Sequence, residues 1–143
     1  MGTAAILRAI AHESVTPDAL ILELPFTSLV NAISTRLAPF KIPAFPMAYL
    51  MTFWGGVQHG FNGFAHNPGV DAKAVACPTL VLQGAQDPWI RQADLDLLMQ
   101  HLGDRGQLIS FPDAGHDLLI TVDPDSWKQS ILSFLQQNAP ARI

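Results

Sequence analysis

The chain has 143 residues, of which 49% are hydrophobic and only 14% charged, so it is long enough for one domain with a substantial core. Eight Lys+Arg against twelve Asp+Glu give a net charge of −4, which offers no basic field to nucleic acid or anionic lipid, and neither is expected as a partner. Cys77 is the only cysteine, which excludes an internal disulfide and a cysteine-built metal centre; no metal and no cofactor are expected.

From Met1 to about His12, small and apolar residues surround a single charge, Arg8, and predict a buried helix packed closely on a sheet. The run Asp18-Ala19-Leu20-Ile21-Leu22-Glu23-Leu24, flanked by Pro17 and Pro25, reads as a strand covered on both faces. Leu29, Val30, Ile33 and Leu37 then fall at helical spacing, with Thr27 or Ser28 as the cap.

The next thirty residues are punctuated by proline and rich in aromatics, with Phe45, Tyr49, Met51, Phe53 and Trp54 ahead of a loop of Gly, Asn and His. No Asp, Glu, Lys or Arg occurs between Lys41 and Asp71, but Pro43, Pro46, Gly55, Gly56 and Gly60 interrupt the stretch, and no membrane span is expected. Its length predicts a small cap over a site or a partner-binding surface, spanning about 27–66.

A second strand follows over Pro78–Gln83, ended by Gly84, then an amphipathic helix from about Arg91 to Leu102, stopped by Gly103. Leu108–Phe111 is the third strand, and a final helix runs from about Pro124 to Gln137. Strand, helix, strand, helix implies an α/β fold: a three-stranded parallel sheet flanked by helices, in a single domain over 1–143. The first residues lack the basic and apolar regions of a signal peptide, so a cytoplasmic location is expected.

In open α/β sheets, catalytic groups collect beyond the carboxyl ends of the strands. Asp87 lies in Gly84-Ala85-Gln86-Asp87-Pro88, just after the second strand, and His116 in Pro112-Asp113-Ala114-Gly115-His116-Asp117, just after the third. Each alone reads equally well as a turn residue; together, at matching ends of neighbouring strands, they are the candidate acid–base pair. His59 and His66 have no Asp, Glu or Cys between them and are read as loop residues. Thr3, Ser14, Ser28, Ser34 and Ser110 are read as structural or solvated hydroxyls.

These segments resemble the α/β-hydrolases of the small esterase, lipase and acyl-peptidase type. Pro78–Asp87 is similar to the family's strand leading to the triad acid, Phe111–His116 to the strand and loop bearing the triad histidine, and Pro25-Phe26-Thr27-Ser28-Leu29 to the segment after the preceding strand. The resemblance implies a carboxyl-ester hydrolase with Asp87 orienting His116 as general base, acting on a small apolar ester or acyl substrate. It also implies that Phe45, Tyr49, Met51, Phe53 and Trp54 line the substrate pocket; read from the residues alone, the same side chains more readily cover the sheet or bury a subunit interface. In this fold the nucleophile sits in a Gly-x-Ser-x-Gly elbow ahead of the acid. Met1-Gly2 resembles the last two residues of that elbow, so the resemblance implies a truncated domain without the serine, and weak esterase activity at best. The strand around Ala19–Glu23 would then expose its edge, and a homodimer through that edge is expected. The rival expectation is a non-catalytic association module.

Overall fold

The computed structural model describes residues 2–138. Three strands form one parallel sheet in the order β1 (Leu20–Glu23), β2 (Thr79–Gly84), β3 (Gly106–Phe111). The register places Leu22 beside Val81 and Val81 beside Leu108, and it pairs Gly84 with Phe111 at the carboxyl end. Pairing with Thr79 and Leu80 carries β3 back to Gly106, two residues before its apolar run starts. The sheet ladder, rather than local composition, sets that end.

β2 is buried along its whole length, and its alternating side chains feed two cores. On one face Val81 joins Leu7 and Ile10 of α1 (Gly2–His12), Leu20 and Leu22 of β1, and Leu95, Leu98 and Leu102 of α5 (Gln92–Leu102). On the other, Leu80 and Leu82 pack with Phe111, Leu119 of α6 (Leu119–Val122) and Phe134 of α7 (Pro124–Asn138). Burial on both faces explains why β1 and β2 are continuous apolar runs rather than alternating ones. Any one of the fully buried leucines, truncated to alanine, would cost about 2–5 kcal/mol.

The first helix departs from expectation. It buries a single stripe, Ala4, Leu7 and Ile10, while Ala5 and Arg8 face outward. Apolar composition all round does not bury a helix that has a sheet on one side only.

Between β1 and β2 the chain forms α2 (Leu29–Leu37), α3 (Ala44–His59) and the single-turn α4 (Pro68–Asp71). Ser28 caps α2 by accepting from the Asn31 amide at 3.3 Å. α3 turns small residues inward, burying Ala48, Thr52 and Gly56 at four-residue spacing, and leaves its large apolar side chains exposed. α4 is tied to α1 by the pair His12 Nε2–Asp71 Oδ1 at 3.2 Å, and to α5 by His101 Nδ1 at 2.6 Å from the Gly69 carbonyl oxygen. Among the described residues no helix is long and apolar enough to cross a membrane.

Candidate active site

Two loops leave the carboxyl ends of β2 and β3 and are joined backbone to backbone. The amide of Ala85 donates to the Phe111 carbonyl and that of Gln86 to the Ala114 carbonyl, both at 2.9 Å. The Gln86 side chain adds a bond to the Pro112 carbonyl at 3.0 Å. The loops meet at Gly84, where a Cβ would overlap the Gly115 carbonyl oxygen and come 2.6 Å from that of Ala114. Only a glycine lets the two chains approach so closely.

This contact brings Asp87 and His116 together: His116 Nδ1 lies 2.6 Å from Asp87 Oδ2. The other carboxylate oxygen, Oδ1, accepts from the Trp89 amide at 2.8 Å. The Asp87 side chain is 0% exposed and that of His116 is 29% exposed, so the acid is sealed behind the base. A carboxylate only accepts, so Nδ1 carries the shared proton and Nε2 of a neutral ring keeps its lone pair. The Trp89 ring packs 4.6 Å from the imidazole, at 57° to it.

His116 borders a cleft of about 280 Å³ whose walls are Leu24, Phe26, Leu29, Ala32, Ile33, Trp89 and Ile90, with Arg36 also lining it. That volume sits near the lower end of small-molecule sites, roughly 300–1,000 Å³. The loop carrying His116 is anchored at its far end as well: the Glu23 carboxylate accepts from the Leu119 amide at 3.2 Å and from the Trp127 indole at 3.4 Å.

The fold superposes on an esterase of Pyrococcus furiosus with a TM-score of 0.70 at 17% identity, over 96% of this chain and 51% of the esterase. This is the α/β-hydrolase fold. A puromycin-hydrolysing peptidase of Mycobacterium tuberculosis shares it at TM-score 0.65 and 20% identity, with 96% of this chain and 21% of the peptidase covered. So does a deformylase of Pseudomonas putida, at 0.58 and 17%, covering 90% of this chain and 62% of that one. The chain thus spans about half the length of the α/β-hydrolase esterase it matches. No protein-family model matches the sequence, and no curated protein sequence matches it.

An α/β-hydrolase orders its triad as serine, acid, histidine along the chain. Asp87 and His116 follow that order, but the sequence contains no Gly-x-Ser-x-Gly. Met1, aligned by resemblance with the residue after the elbow serine, lies outside the described residues. Of the other hydroxyls, Ser28 caps α2 and Ser34 donates to the Val30 carbonyl at 2.7 Å.

Phe45, Tyr49, Met51, Phe53 and Trp54 sit elsewhere: all five are exposed on α3 and none lines the cleft beside His116. Phe45 meets Tyr49 edge-on and Tyr49 stacks on Phe64, while Phe53 meets Trp54 edge-on. The cleft walls come instead from the Leu24–Ile33 segment and from the loop after Asp87. Within the 27–66 stretch, only α2 reaches the cleft.

Sequence reasoning does not find Trp89, Arg36 or Glu23. Trp89 stands two residues after Asp87, and that position is the signal that could have found it. Glu23 is the only charge within β1, and an ionised group inside an apolar strand needs buried donors. His66 lies between Phe26 and Phe61; burial and the nearby Arg8 hold its pKa below the ordinary value of 6.5, against a smaller opposing pull from Asp71. Among the described residues no group of three or more His, Cys, Asp or Glu is placed to hold a metal ion.

Proposed function

We propose that this chain carries the acid and the base of a carboxyl-ester hydrolase, with His116 as general base and Asp87 as the residue that orients it. The 2.6 Å contact between His116 Nδ1 and Asp87 Oδ2 at the mouth of an apolar cleft carries the reading. Nε2 would take the proton of an attacking O–H and return it to the departing alkoxide, while the Asp87 carboxylate stabilises the imidazolium formed between those steps. The attacking oxygen belongs to water, to Thr3, or to a hydroxyl lent by another chain, and turnover is correspondingly weak. A small apolar acyl group occupies the cleft. Saturable hydrolysis of p-nitrophenyl butyrate that disappears in His116→Ala supports this function; equal turnover by both proteins overturns it.

The sheet edge favours a second property, association. Leu20 and Leu24 direct their amides to β2, at 2.9 Å from the Pro78 and Leu82 carbonyls, so by alternation Ile21 and Glu23 turn their backbone groups to the open side. Among the described residues no strand covers that side. Two copies meeting antiparallel along β1 would continue one sheet across a two-fold axis. Light scattering should report a dimer at low micromolar concentration, and Ile21→Pro, which deletes an outward donor, should leave monomer; a monomeric wild-type chain overturns the proposal.

A further inference from the structure

We infer that Arg36 makes the cleft beside His116 selective for short substrates bearing a carboxylate. The inference rests on reading that cleft as an ester site, and it adds the charge of the substrate.

Among the described residues, Arg36 and His116 are the only charged or titratable side chains lining the cleft; every other wall is apolar or aromatic. The guanidinium is already held. Its Nη1 donates to the Ala32 carbonyl at 2.8 Å, and its carbon lies 4.6 Å from the centre of the Trp89 ring. That ring is fixed through its own backbone, since the Trp89 amide donates to Asp87 and the Trp89 carbonyl accepts from the Thr35 hydroxyl at 3.2 Å.

Among the described residues no carboxylate neutralises Arg36. Asp94, the acid that α5 presents to α2, is occupied by Arg91 at 2.9 and 3.0 Å and by the Asn31 amide at 3.3 Å. Asp87 is occupied by His116 and Trp89. Arg36, itself exposed, therefore keeps N–H donors unbonded at the rim of the cleft, in a planar fork that suits a carboxylate. With a net charge of −4 the whole chain does not attract anions, so recognition of one falls to this side chain.

The Trp89 ring centre lies 4.6 Å from that of the imidazole and 4.6 Å from the guanidinium carbon, so the two groups are at most twice that apart, which bounds the length of a ligand that spans them. A molecule with its reacting carbonyl at His116 and its anion at Arg36 has only a few carbons between them. Half-esters of short dicarboxylic acids have that form.

The test compares two esters of equal length, monomethyl succinate and methyl butyrate, titrated into the full chain and followed by NMR at the His116 ring protons and the Trp89 indole. Monomethyl succinate should bind at least about tenfold more tightly, and Arg36→Met should abolish the difference. Arg36→Gln provides the same reading if the methionine variant does not fold. Equal binding of the two esters to the wild-type chain, or a preference that survives in both variants, overturns the role of Arg36 alone. Binding of neither ester overturns it together with the ester-site reading.

Discussion

The Trp89 amide and the His116 imidazole are held by opposite oxygens of one buried carboxylate, that of Asp87, at 2.8 and 2.6 Å. The acid therefore fixes the base and the aromatic wall beside it in a single step.

Asp87→Asn separates those two duties. The amide oxygen can still accept from Trp89, but the amide nitrogen then faces Nδ1, which must become an acceptor, and the ring proton moves to Nε2. Nitrogen NMR of the neutral His116 ring should report Nδ1–H in the wild-type chain and Nε2–H in the variant. Ester turnover should fall by on the order of 10²-fold or more, because the lone pair no longer faces the cleft. An unchanged tautomer would show that Asp87 does not set it.

Glu23 bonds residues of α6 and α7, 96 and 104 positions further along the chain. Glu23→Gln keeps the shape but retains one acceptor oxygen for two donors, leaving either the Leu119 amide or the Trp127 indole unsatisfied. The urea midpoint should drop by the equivalent of about 1–3 kcal/mol. The His116 resonances should broaden, since the loop loses its far anchor. A stability loss without any change at His116 would confine Glu23 to packing α7.

The folded chain holds the His66 pKa below its ordinary 6.5, first through burial and then through Arg8. The unfolded chain binds that proton more readily, so this residue's contribution to stability is complete above about pH 6.5 and is lost as pH falls through the folded value. Urea midpoints should decline from pH 7.5 to 5.5, and His66→Gln should flatten the decline. An identical slope in the variant would place the titrating group elsewhere.

The strands and the two loops were legible because β1 and β2 are apolar on both faces and because Gly84 and Gly115 punctuate the ends where Asp87 and His116 stand. The walls of the cleft were not. Aromatic side chains in a charge-free stretch suggest a pocket, but α3 packs through Ala48, Thr52 and Gly56, and this inward choice of small residues pushes Phe45, Tyr49, Phe53 and Trp54 outward. Composition alone does not tell which face of an apolar helix is the narrow one. Arg36 was invisible for a related reason: its meaning depends on Trp89, fifty-three positions away, and on Asp94 being taken by other donors.

The contact at Gly84 has a consequence for hydration. Where bare backbone touches bare backbone there is no room for a layer of solvent between the two loops, and the Asp87 side chain they carry beside His116 is 0% exposed. The exposed part of the pair is the His116 imidazole, which borders the cleft, so a ligand bound there would cover it. The amides of Ala85 and Gln86 are each bonded across that contact, to the Phe111 and Ala114 carbonyls. Position 84 thus acts as a gasket, and its seal depends on a side chain that is only a hydrogen atom.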